Sequence, residues 1–230
     1  MGSRGEDTFV NFPKLGARMY DNLTRIKAIE TQFKEIAQYL TSRVRQGRLL
    51  DIGTGPGRLL LEIYNLNPNI ELYGLDISNS MIQQAKKNLA GIDIDLRQGN
   101  IQNSDYKSNF FDVITCSGSF YLWNHPEQCL EEIYRLLKDG CSAYLFETYK
   151  NFDKEEFKIA LRANIRQEGV FRRFLAPSFL KKQIRMTYET DEVIKIVKNT
   201  TFADSYNIEK ITLGGLPIWL RITLTKIIEQ

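Results

Sequence analysis

A short stretch of closely spaced glycines carries the clearest chemical signal in the chain. It reads Asp51-Ile52-Gly53-Thr54-Gly55-Pro56-Gly57 and joins an apolar run to a helical pattern. Glycines at such a turn let the backbone approach a ligand closely, and the helix that follows offers free backbone N–H groups. The stretch therefore predicts a binding loop for a nucleotide-like ligand.

Two acidic residues narrow the choice of ligand. Asp76 ends the next apolar run, where a carboxylate can accept hydrogen bonds from both hydroxyls of a ribose. Nicotinamide and flavin nucleotides are typically held by G-x-G-x-x-G, but these glycines form G-x-G-x-G and Arg58 stands where the last glycine is expected. Asp51, two positions before the first glycine, suits a ligand with a cationic amino acid group. These details favour S-adenosylmethionine.

The segments around the loop alternate between two patterns. Short apolar runs predict buried strands, and apolar residues at helical spacing predict helices between them. The predicted strands are 47–52, 71–75, 93–96, 112–116 and 143–146. The predicted helices are 17–44, 59–64, 78–89, with Ser78 as N-cap, and 126–137, with Pro126 in the first turn. Strand and helix in alternation indicate a parallel sheet with right-handed crossovers.

The C-terminal part follows a different pattern. Residues 148–205 are helical in character and rich in aromatics, and two further strands, 206–212 and 218–228, are joined by Gly214-Gly215-Leu216-Pro217. A close pair of this kind predicts an antiparallel hairpin. We interpret the chain as a single domain. Its parts are an N-terminal arm and helix (1–45, with 1–16 mobile), a cofactor-binding core (46–147), a helical insertion or lid (148–205) and a closing hairpin (206–230).

Composition limits the possible functions. The chain has 230 residues, 43% of them hydrophobic and 26% charged, which is typical of one globular domain. A net charge of +3 without a Lys/Arg block favours a small-molecule partner over a nucleic acid. No apolar run approaches the roughly 20 residues of a membrane-spanning helix, and the N-terminus does not resemble a secretory signal. Cys116, Cys129 and Cys141 lack metal-ligand spacing and are expected to be reduced, half-buried thiols of a cytoplasmic protein.

Several segments together resemble the class I S-adenosylmethionine-dependent methyltransferases, in particular the broad group of small-molecule enzymes. The segments, in chain order, are 51–57, Asp76-Ile77-Ser78 with Met81 and Ala85, Gly99-Asn100-Ile101, 111–114 and 135–140. The resemblance covers about residues 45–147. It implies an α/β, Rossmann-like sheet of seven mostly parallel strands in the order 3-2-1-4-5-7-6, the last antiparallel, with helices on both faces and a helical insertion between strands five and six.

The resemblance also implies a set of cofactor-binding residues. Gly53 and Gly55 would lie against the methionine part and Asp76 on the ribose. Ile77 would face the adenine and Asn100 its edge. The full set is Tyr20, Asp51, Gly53, Thr54, Gly55, Gly57, Asp76, Ile77, Met81, Asn100, Ile101 and Ser117.

The chain departs from the family pattern in two places. The family usually has Asp where Asn100 stands, but Asn keeps an acceptor oxygen for the adenine amino group. The family's Pro-Gly-Gly turn before the fifth strand is here Asp139-Gly140-Cys141, which changes only local turn chemistry.

Methyl transfer by in-line displacement needs an acceptor held about 3 Å from the methyl carbon, with water excluded. The crevice beyond the fourth strand, residues 117–125, is the expected site. His125, the only histidine in the sequence, and Tyr121 are weak catalytic candidates. A histidine just before Pro126 is more typical of a helix N-cap, and Tyr121 and Trp123 are as typical of a core as of a pocket. No metal is expected, because the metal-dependent catechol pattern is missing.

Alternative functions remain open at this level. The same fold could act on RNA or protein, or persist as a non-catalytic cofactor-binding homologue; a dinucleotide oxidoreductase is a further alternative. Arg172-Arg173 and Lys181-Lys182 could meet an anionic substrate, although such pairs usually form a solvated face. The favoured hypothesis is transfer from S-adenosylmethionine to a small-molecule acceptor, giving S-adenosylhomocysteine, with neither nucleic acid nor membrane as partner.

Overall fold

The computed structural model describes residues 13–165, 180 and 183–228. Seven strands form one sheet: β1 Gly47–Ile52, β2 Ile70–Asp76, β3 Ile94–Gln98, β4 Phe111–Ser117, β5 Leu137–Thr148, β6 Tyr206–Leu213 and β7 Leu216–Thr225. The helices are α1 Lys14–Leu23, α2 Lys27–Arg43, α3 Arg58–Leu66, α4 Asn79–Asn88, α5 Pro126–Leu136, α6 Lys154–Ile165 and α7 Thr190–Lys198.

The sheet has the strand order β3-β2-β1-β4-β5-β7-β6, which confirms the predicted fold class. The first five strands pair in parallel, and β7 runs antiparallel to both β5 and β6. Parallel neighbours place their carboxyl ends at one edge of the sheet, so the loops after β1, β2, β3 and β4 meet there.

Hydrophobic side chains cover both faces of the sheet. On one face, Leu130 and Ile133 of α5 pack with Val197 of α7. On the other, Ile36 of α2 packs with Leu60 of α3. The apolar faces from which the helices were predicted therefore pack against the sheet in a three-layer structure. Ser78 caps α4 as predicted, because its side chain accepts a hydrogen bond from the Met81 N–H.

The N-terminal helix is divided, so the prediction of one helix over 17–44 is wrong. Thr24 Oγ1 donates a hydrogen bond to the Asp21 carbonyl oxygen at 2.7 Å, which competes with continuation of the helix. The backbone at Ile26 is extended, with ψ 134°, and α2 begins at the next residue. Part of the predicted arm, residues 14–16, belongs to α1, and residues 1–12 lie outside the described residues.

The fifth strand is longer than predicted. It begins at Leu137, directly after α5 ends, so the prediction that Asp139-Gly140-Cys141 forms a turn before the strand is wrong. The pairing with β4 jumps from Phe111–Leu137 to Val113–Ser142, and Gly140 has φ +75°. These three residues therefore form an irregular bulge inside the strand, where glycine supplies the left-handed conformation.

Two further expectations need qualification. Cys116 and Cys129 are fully buried rather than half-buried, and only Cys141 is intermediate. The predicted insertion contributes α6 and α7, whereas Arg172-Arg173 and Lys181-Lys182 lie outside the described residues. The division of the chain into four parts stays a prediction.

Candidate active site

The glycine loop joins β1 to α3 in a left-handed conformation at every second residue. Gly53, Gly55 and Gly57 have φ +68°, +53° and +77°. A Cβ on Gly53 would overlap the Ser119 hydroxyl and lie 2.6 Å from its Cβ, and one on Gly57 would lie 2.7 Å from Leu89 Cδ1. Neighbouring side chains and the left-handed backbone therefore both disfavour a side chain at these two positions.

Gly55 differs from the other two glycines. A Cβ added there would meet Tyr20 Cε1 at 3.8 Å and nothing closer. A space therefore remains above Gly55, between the loop and α1, and no neighbouring side chain fills it. It is the part of the loop that can receive a ligand.

Asp76 is fixed by the backbone at the end of β2. Its Oδ2 accepts a hydrogen bond from the Gly55 N–H and its Oδ1 from the Ser78 N–H, each at 2.8 Å. Burial raises the pKa of this carboxyl to about 6, against these two donors, which favour the ionised form. The carboxylate thus ties the glycine loop to the second strand and presents a rigid acceptor.

Asp51 is a second buried carboxyl at the same edge. It is 2% exposed, and its Oδ1 accepts no hydrogen bond from the described residues. Burial raises its pKa to about 7, against the neighbouring Thr54 hydroxyl, which favours the ionised form. An unpaired buried polar atom is costly, so Asp51 Oδ1 is suited to a polar ligand.

Helix α1 is held over the loop by a polar network that the sequence did not predict. Asp21 is buried and its Oδ1 accepts from Arg58 Nε and Asn88 Nδ2, both at 2.9 Å. Asn88 Nδ2 also donates to the Pro56 carbonyl oxygen at 2.8 Å. The network links α1 to α3, α4 and the loop itself, and it thereby positions Tyr20.

Tyr20 lies over Gly55 and is close to two carboxyl groups. Its pKa is raised to about 12, first by burial and then by the negative charges of Asp76 and Glu147. The phenol therefore stays neutral at physiological pH. The structure thus places Tyr20 between α1 and the glycine loop, and its part in cofactor binding stays a prediction.

The remaining predicted cofactor residues follow β2 and β3. Ile77 is half-buried, while Met81 and Ile101 are 3% and 4% exposed. Asn100 Oδ1 accepts from the Gln102 N–H at 2.9 Å and so begins a short 3-10 helix. The structure brings these residues to the same edge of the sheet as Asp76, with one Asn100 lone pair already used by the backbone.

A cavity of about 110 Å³ opens beside the glycine loop. Helices α1, α2 and α6, strand β7 and the end of β4 surround it. Most of its lining is apolar, with a few polar side chains. The lining residues are Tyr20, Leu23, Thr24, Ile26, Ala28, Ile29, Gln32, Phe33, Ser117, Gly118, Leu161, Asn164, Leu180, Gln183, Leu216 and Trp219.

The structure separates the candidates proposed after β4. Ser117 lines the cavity, and its buried Oγ has no hydrogen-bond partner among the described residues. Tyr121 and Trp123 belong to the hydrophobic core instead. His125 is exposed and is the N-cap residue of α5 without a side-chain cap bond. Neither of the two weak catalytic candidates, His125 and Tyr121, lines the cavity.

Glu147 is a site residue that sequence reasoning missed. It lies near the end of β5, is 1% exposed, and accepts from the Tyr121 N–H at 3.0 Å through Oε2. Burial raises its pKa to about 8, against nearby backbone N–H groups that favour the ionised form. A charged residue directly after the apolar run 143–146 was the available signal, because a buried carboxylate at a strand end needs a reason.

Known proteins share this architecture and sequence pattern. Residues 44–201 match the model of a methyltransferase domain family. The chain belongs to this family. It is an S-adenosylmethionine-dependent methyltransferase, which confirms the predicted enzyme class and the predicted cofactor.

Individual relatives agree with this assignment. The enzyme is 27% identical to the uncharacterized methyltransferase YdaC of Bacillus subtilis over 99 residues, 43% of this chain and 55% of that protein. It is 24% identical to the demethylmenaquinone methyltransferase of Thermotoga maritima over 208 residues, 87% of this chain and 90% of that protein.

Among solved structures, the plantazolicin methyltransferase BpumL in complex with S-adenosylhomocysteine superposes with a TM-score of 0.72 at 17% identity. The superposition covers 98% of this chain and 95% of that one, and it shows a shared fold. Within residues 13–165, 180 and 183–228, none of the helices combines the length and apolar character needed to cross a bilayer.

Proposed function

We propose that this methyltransferase transfers the methyl group of S-adenosylmethionine by in-line displacement to a small, mainly apolar acceptor bound in the cavity between α1, α2, α6 and β7. The observation that carries the proposal is that Tyr20 lines this apolar cavity and also lies 3.8 Å from the Cβ position of Gly55, so it forms the boundary between the cavity and the glycine loop. The donor would lie on the loop side and the acceptor on the cavity side.

The donor side fits S-adenosylmethionine in shape and charge. Gly55 leaves room against the loop, and the buried unpaired Oδ1 of Asp51 suits the donor's ammonium group. The two carboxyls with raised pKa values, Asp51 and Asp76, gain from a cationic ligand, because positive charge favours their ionised forms. We therefore assign the methionine part to Gly53, Gly55 and Asp51.

The nucleoside part has its own group of residues. Asp76 would accept from the ribose hydroxyls, Ile77 would lie on the adenine and Asn100 would meet the adenine edge. Asn100 Oδ1 accepts from the Gln102 N–H, so adenine would have to share this oxygen with the backbone. Thr54, Gly57, Met81, Ile101, Ser117 and Tyr20 complete the proposed cofactor site.

The acceptor side favours an apolar molecule with few polar groups. Nine of the described lining residues have aliphatic side chains or are Phe or Trp, and burying an apolar surface against them stabilises a complex by about 25 cal/mol per Å². Ser117 Oγ and Trp219 Nε1 are buried polar atoms without partners among the described residues, and they can orient such a ligand. The name of one relative, demethylmenaquinone methyltransferase, indicates a small-molecule acceptor and supports the same class.

When bound, the donor supplies an electrophilic methyl group on a positively charged sulfur. The chain's own contribution is placement. Helix α1 covers the space over Gly55, and Tyr20 would present a neutral aromatic face to the positively charged sulfur of the donor.

Ligand binding tests the donor side. Saturating S-adenosylhomocysteine, at about a hundred times its Kd, should raise the melting temperature by about 5–10 °C. Gly55→Val should abolish the shift, because the side chain fills the space beneath Tyr20. The matched control is Gly91→Val, which also has positive φ, +86°, but meets no atom within 4 Å and should retain the shift. The absence of any shift in the wild type would overturn the donor site.

Methyl transfer to added acceptor molecules tests the acceptor side. Formation of S-adenosylhomocysteine from S-adenosylmethionine should be stimulated by apolar aromatic molecules and not by RNA or by unfolded protein. Methylation of RNA or protein alone would contradict the proposed acceptor class while leaving the donor site intact.

A further inference from the structure

Gly118, the first residue after β4, lines the cavity and leaves a small polar space in its wall. It has φ +70°, and the position of its absent Cβ is 3.6 Å from Gln183 Nε2 and 4.0 Å from Glu147 Oε1. We call this space, bounded by Gly118, Gln183 and Glu147, the Gly118 niche. An amide N–H donor and a carboxylate acceptor thus face one position large enough for a single heavy atom.

Glu147 is held in place but is only partly satisfied. Its Oε2 accepts from the Tyr121 N–H, whereas Oε1 is buried and accepts no hydrogen bond from the described residues. On β7 the residue opposite it is Leu220, which offers no polar side chain. A buried carboxylate oxygen without a partner is costly, so its retention next to a cavity indicates a ligand group that completes it.

We propose that the Gly118 niche receives the reacting hydroxyl group of an aromatic alcohol acceptor, and that Glu147 takes the proton from this hydroxyl. The hydroxyl donates a hydrogen bond to Glu147 Oε1 and accepts one from Gln183 Nε2. The inference rests on the proposed function, because it names the acceptor class and the base for the same cavity.

The proposed step balances in atoms and charge. The acceptor oxygen forms a bond to the methyl carbon, its O–H bond breaks, and the proton passes to Glu147 Oε1. The carbon–sulfur bond of the donor breaks with its electron pair remaining on sulfur, so the positive sulfur becomes neutral. Glu147 changes from the carboxylate to the acid and returns the proton to solvent when the products leave.

A hydroxyl group fits the niche better than an ammonium group or a carboxylate. It can donate to the carboxylate and accept from the amide at the same time, whereas an ammonium group has no lone pair for Gln183 and a carboxylate would be repelled by Glu147. The aromatic body follows from the apolar walls, which include Phe33 and Trp219. A general base is most efficient when its pKa lies near the working pH, and burial brings that of Glu147 to about 8.

The other titratable groups that face Glu147 do not compete for this role. Tyr20, Cys116 and Tyr121 all have pKa values raised by burial, and the charge of Glu147 raises each of them further. They stay protonated in the range in which Glu147 titrates. Asp51 and Asp76, with pKa values of about 7 and about 6, also titrate between pH 6 and pH 9, so a pH effect on acceptor binding is assigned to Glu147 by its loss in Glu147→Gln.

The first test compares two probes that differ by one hydroxyl group, 2-naphthol and naphthalene. Their affinities for the protein saturated with S-adenosylhomocysteine are measured by fluorescence at about pH 6 and about pH 9, on either side of the pKa of about 8. The wild type should prefer 2-naphthol, and the preference should grow about tenfold with pH, since hydrogen bonds to ionised acceptors are roughly twice as strong as neutral ones. In Glu147→Gln the preference should not change with pH.

The second test uses methyl transfer and a steric block. Glu147→Gln should lower the rate of S-adenosylmethionine-dependent methylation of 2-naphthol by about 10²–10⁴-fold, while the melting shift with S-adenosylhomocysteine is kept. Gly118→Ala should fill the niche and remove the preference for 2-naphthol. Gly91→Ala, with similar positive φ in open space, controls for backbone strain.

The outcomes separate this inference from the proposed function. Normal binding of S-adenosylhomocysteine with no preference for 2-naphthol in the wild type would overturn the niche and leave the donor site standing. So would a preference in Glu147→Gln that matches the wild-type preference at each of the two pH values. If the wild type does not bind S-adenosylhomocysteine, the proposed function itself is overturned. A purely structural role for Glu147 would lower the melting temperature of the Gln variant without altering the pH dependence of the preference.

Discussion

The two halves of the candidate active site are built by different means. On the donor side, polar atoms are fixed by the backbone at the ends of adjacent strands, as when Asp76 accepts the N–H groups of Gly55 and Ser78. On the acceptor side, apolar side chains from α1, α2, α6 and β7 form the walls, and few polar atoms point inward.

This difference separates the part of the site that binds the donor from the part that determines specificity for the acceptor. The donor side depends on the backbone conformation of the glycine loop and on hydrogen bonds from backbone N–H groups. The acceptor side depends on the volumes of side chains drawn from distant parts of the chain, so its shape can vary without disturbing the sheet. Glu147 and Tyr20 lie where the two halves meet.

The largest expected effect is on the donor side, at Gly53. Gly53→Ala would overlap Ser119 in a left-handed backbone, and we expect a loss of about 2–4 kcal/mol in the free energy of unfolding. Gly55→Ala should lose only about 1 kcal/mol, the cost of the conformation alone. Urea denaturation without ligand measures both. Ser119→Gly should restore at least half of the loss caused by Gly53→Ala, and equal losses at the two glycines would contradict the distinction between them.

The next effect concerns charge on the donor side. The pKa of Asp51 is about 7 in the folded protein and near 3.8 when unfolded, so the fold favours the protonated form. Protonated Asp51 therefore stabilises the folded protein at low pH, and this contribution to the free energy of unfolding is lost as the pH rises from about 4 through about 7. Asp51→Asn does not titrate, so its stability relative to wild type should increase by on the order of 2–3 kcal/mol between pH 5 and pH 8.

Denaturant unfolding without ligand at both pH values checks this, and S-adenosylmethionine affinity at pH 8 should fall in the same variant. Asp76 and Glu147 also destabilise the fold as pH rises, but they are present in both proteins and cancel in the difference. A constant difference between the two proteins would show that Asp51 does not titrate in this range.

A smaller effect is expected where α1 joins the two halves. Asp21→Asn removes the charge that holds Arg58 at 2.7 Å, with side-chain exposures of 5% and 18%. We expect a loss of about 1–3 kcal/mol in the free energy of unfolding and weaker S-adenosylhomocysteine binding, because Tyr20 is less well held. The control is Glu71→Gln in the exposed pair Arg48–Glu71, which should cost under about 1 kcal/mol. Similar losses in both variants would argue against a positioning role.

The smallest effect is expected on the acceptor side. Leu161→Ser replaces an apolar side chain of the cavity wall and should weaken 2-naphthol binding by about three- to tenfold. S-adenosylhomocysteine affinity should change by less than about twofold, because no donor residue is altered. Ile159→Ser, at a site on the same helix that is 69% exposed, is the control and should leave both affinities unchanged. A parallel loss of donor affinity would show that the halves are coupled more tightly than their geometry indicates.

Local sequence signals predicted the donor half well. The strand over 47–52 and the cap at Ser78 are confirmed at the predicted residues, because apolar runs, glycines and capping residues act within a few positions of where they occur. The strand order is confirmed as well, and it followed from the resemblance rather than from any one segment.

The acceptor half was beyond local signals. The break after Leu23 depends on a hydrogen bond from Thr24, and Asp21 is 37 positions from Arg58 and 67 from Asn88. Glu147 becomes meaningful only when β4 and β5 lie side by side and Gly118 leaves space in front of it. Such contacts depend on the folded arrangement of distant segments, which spacing along the chain does not encode.

The packing behind Gly53 and Gly57 has a consequence for the descent of this family. Because Ser119 and Leu89 crowd a side chain at these two positions, a descendant that lost the donor should keep both glycines unless these neighbours change as well. At Gly55 only the left-handed backbone would still favour glycine, so this position would vary more readily. In homologous genomes, therefore, the residue aligned with Gly55 should separate lineages that still use the donor from those that have inherited only its scaffold.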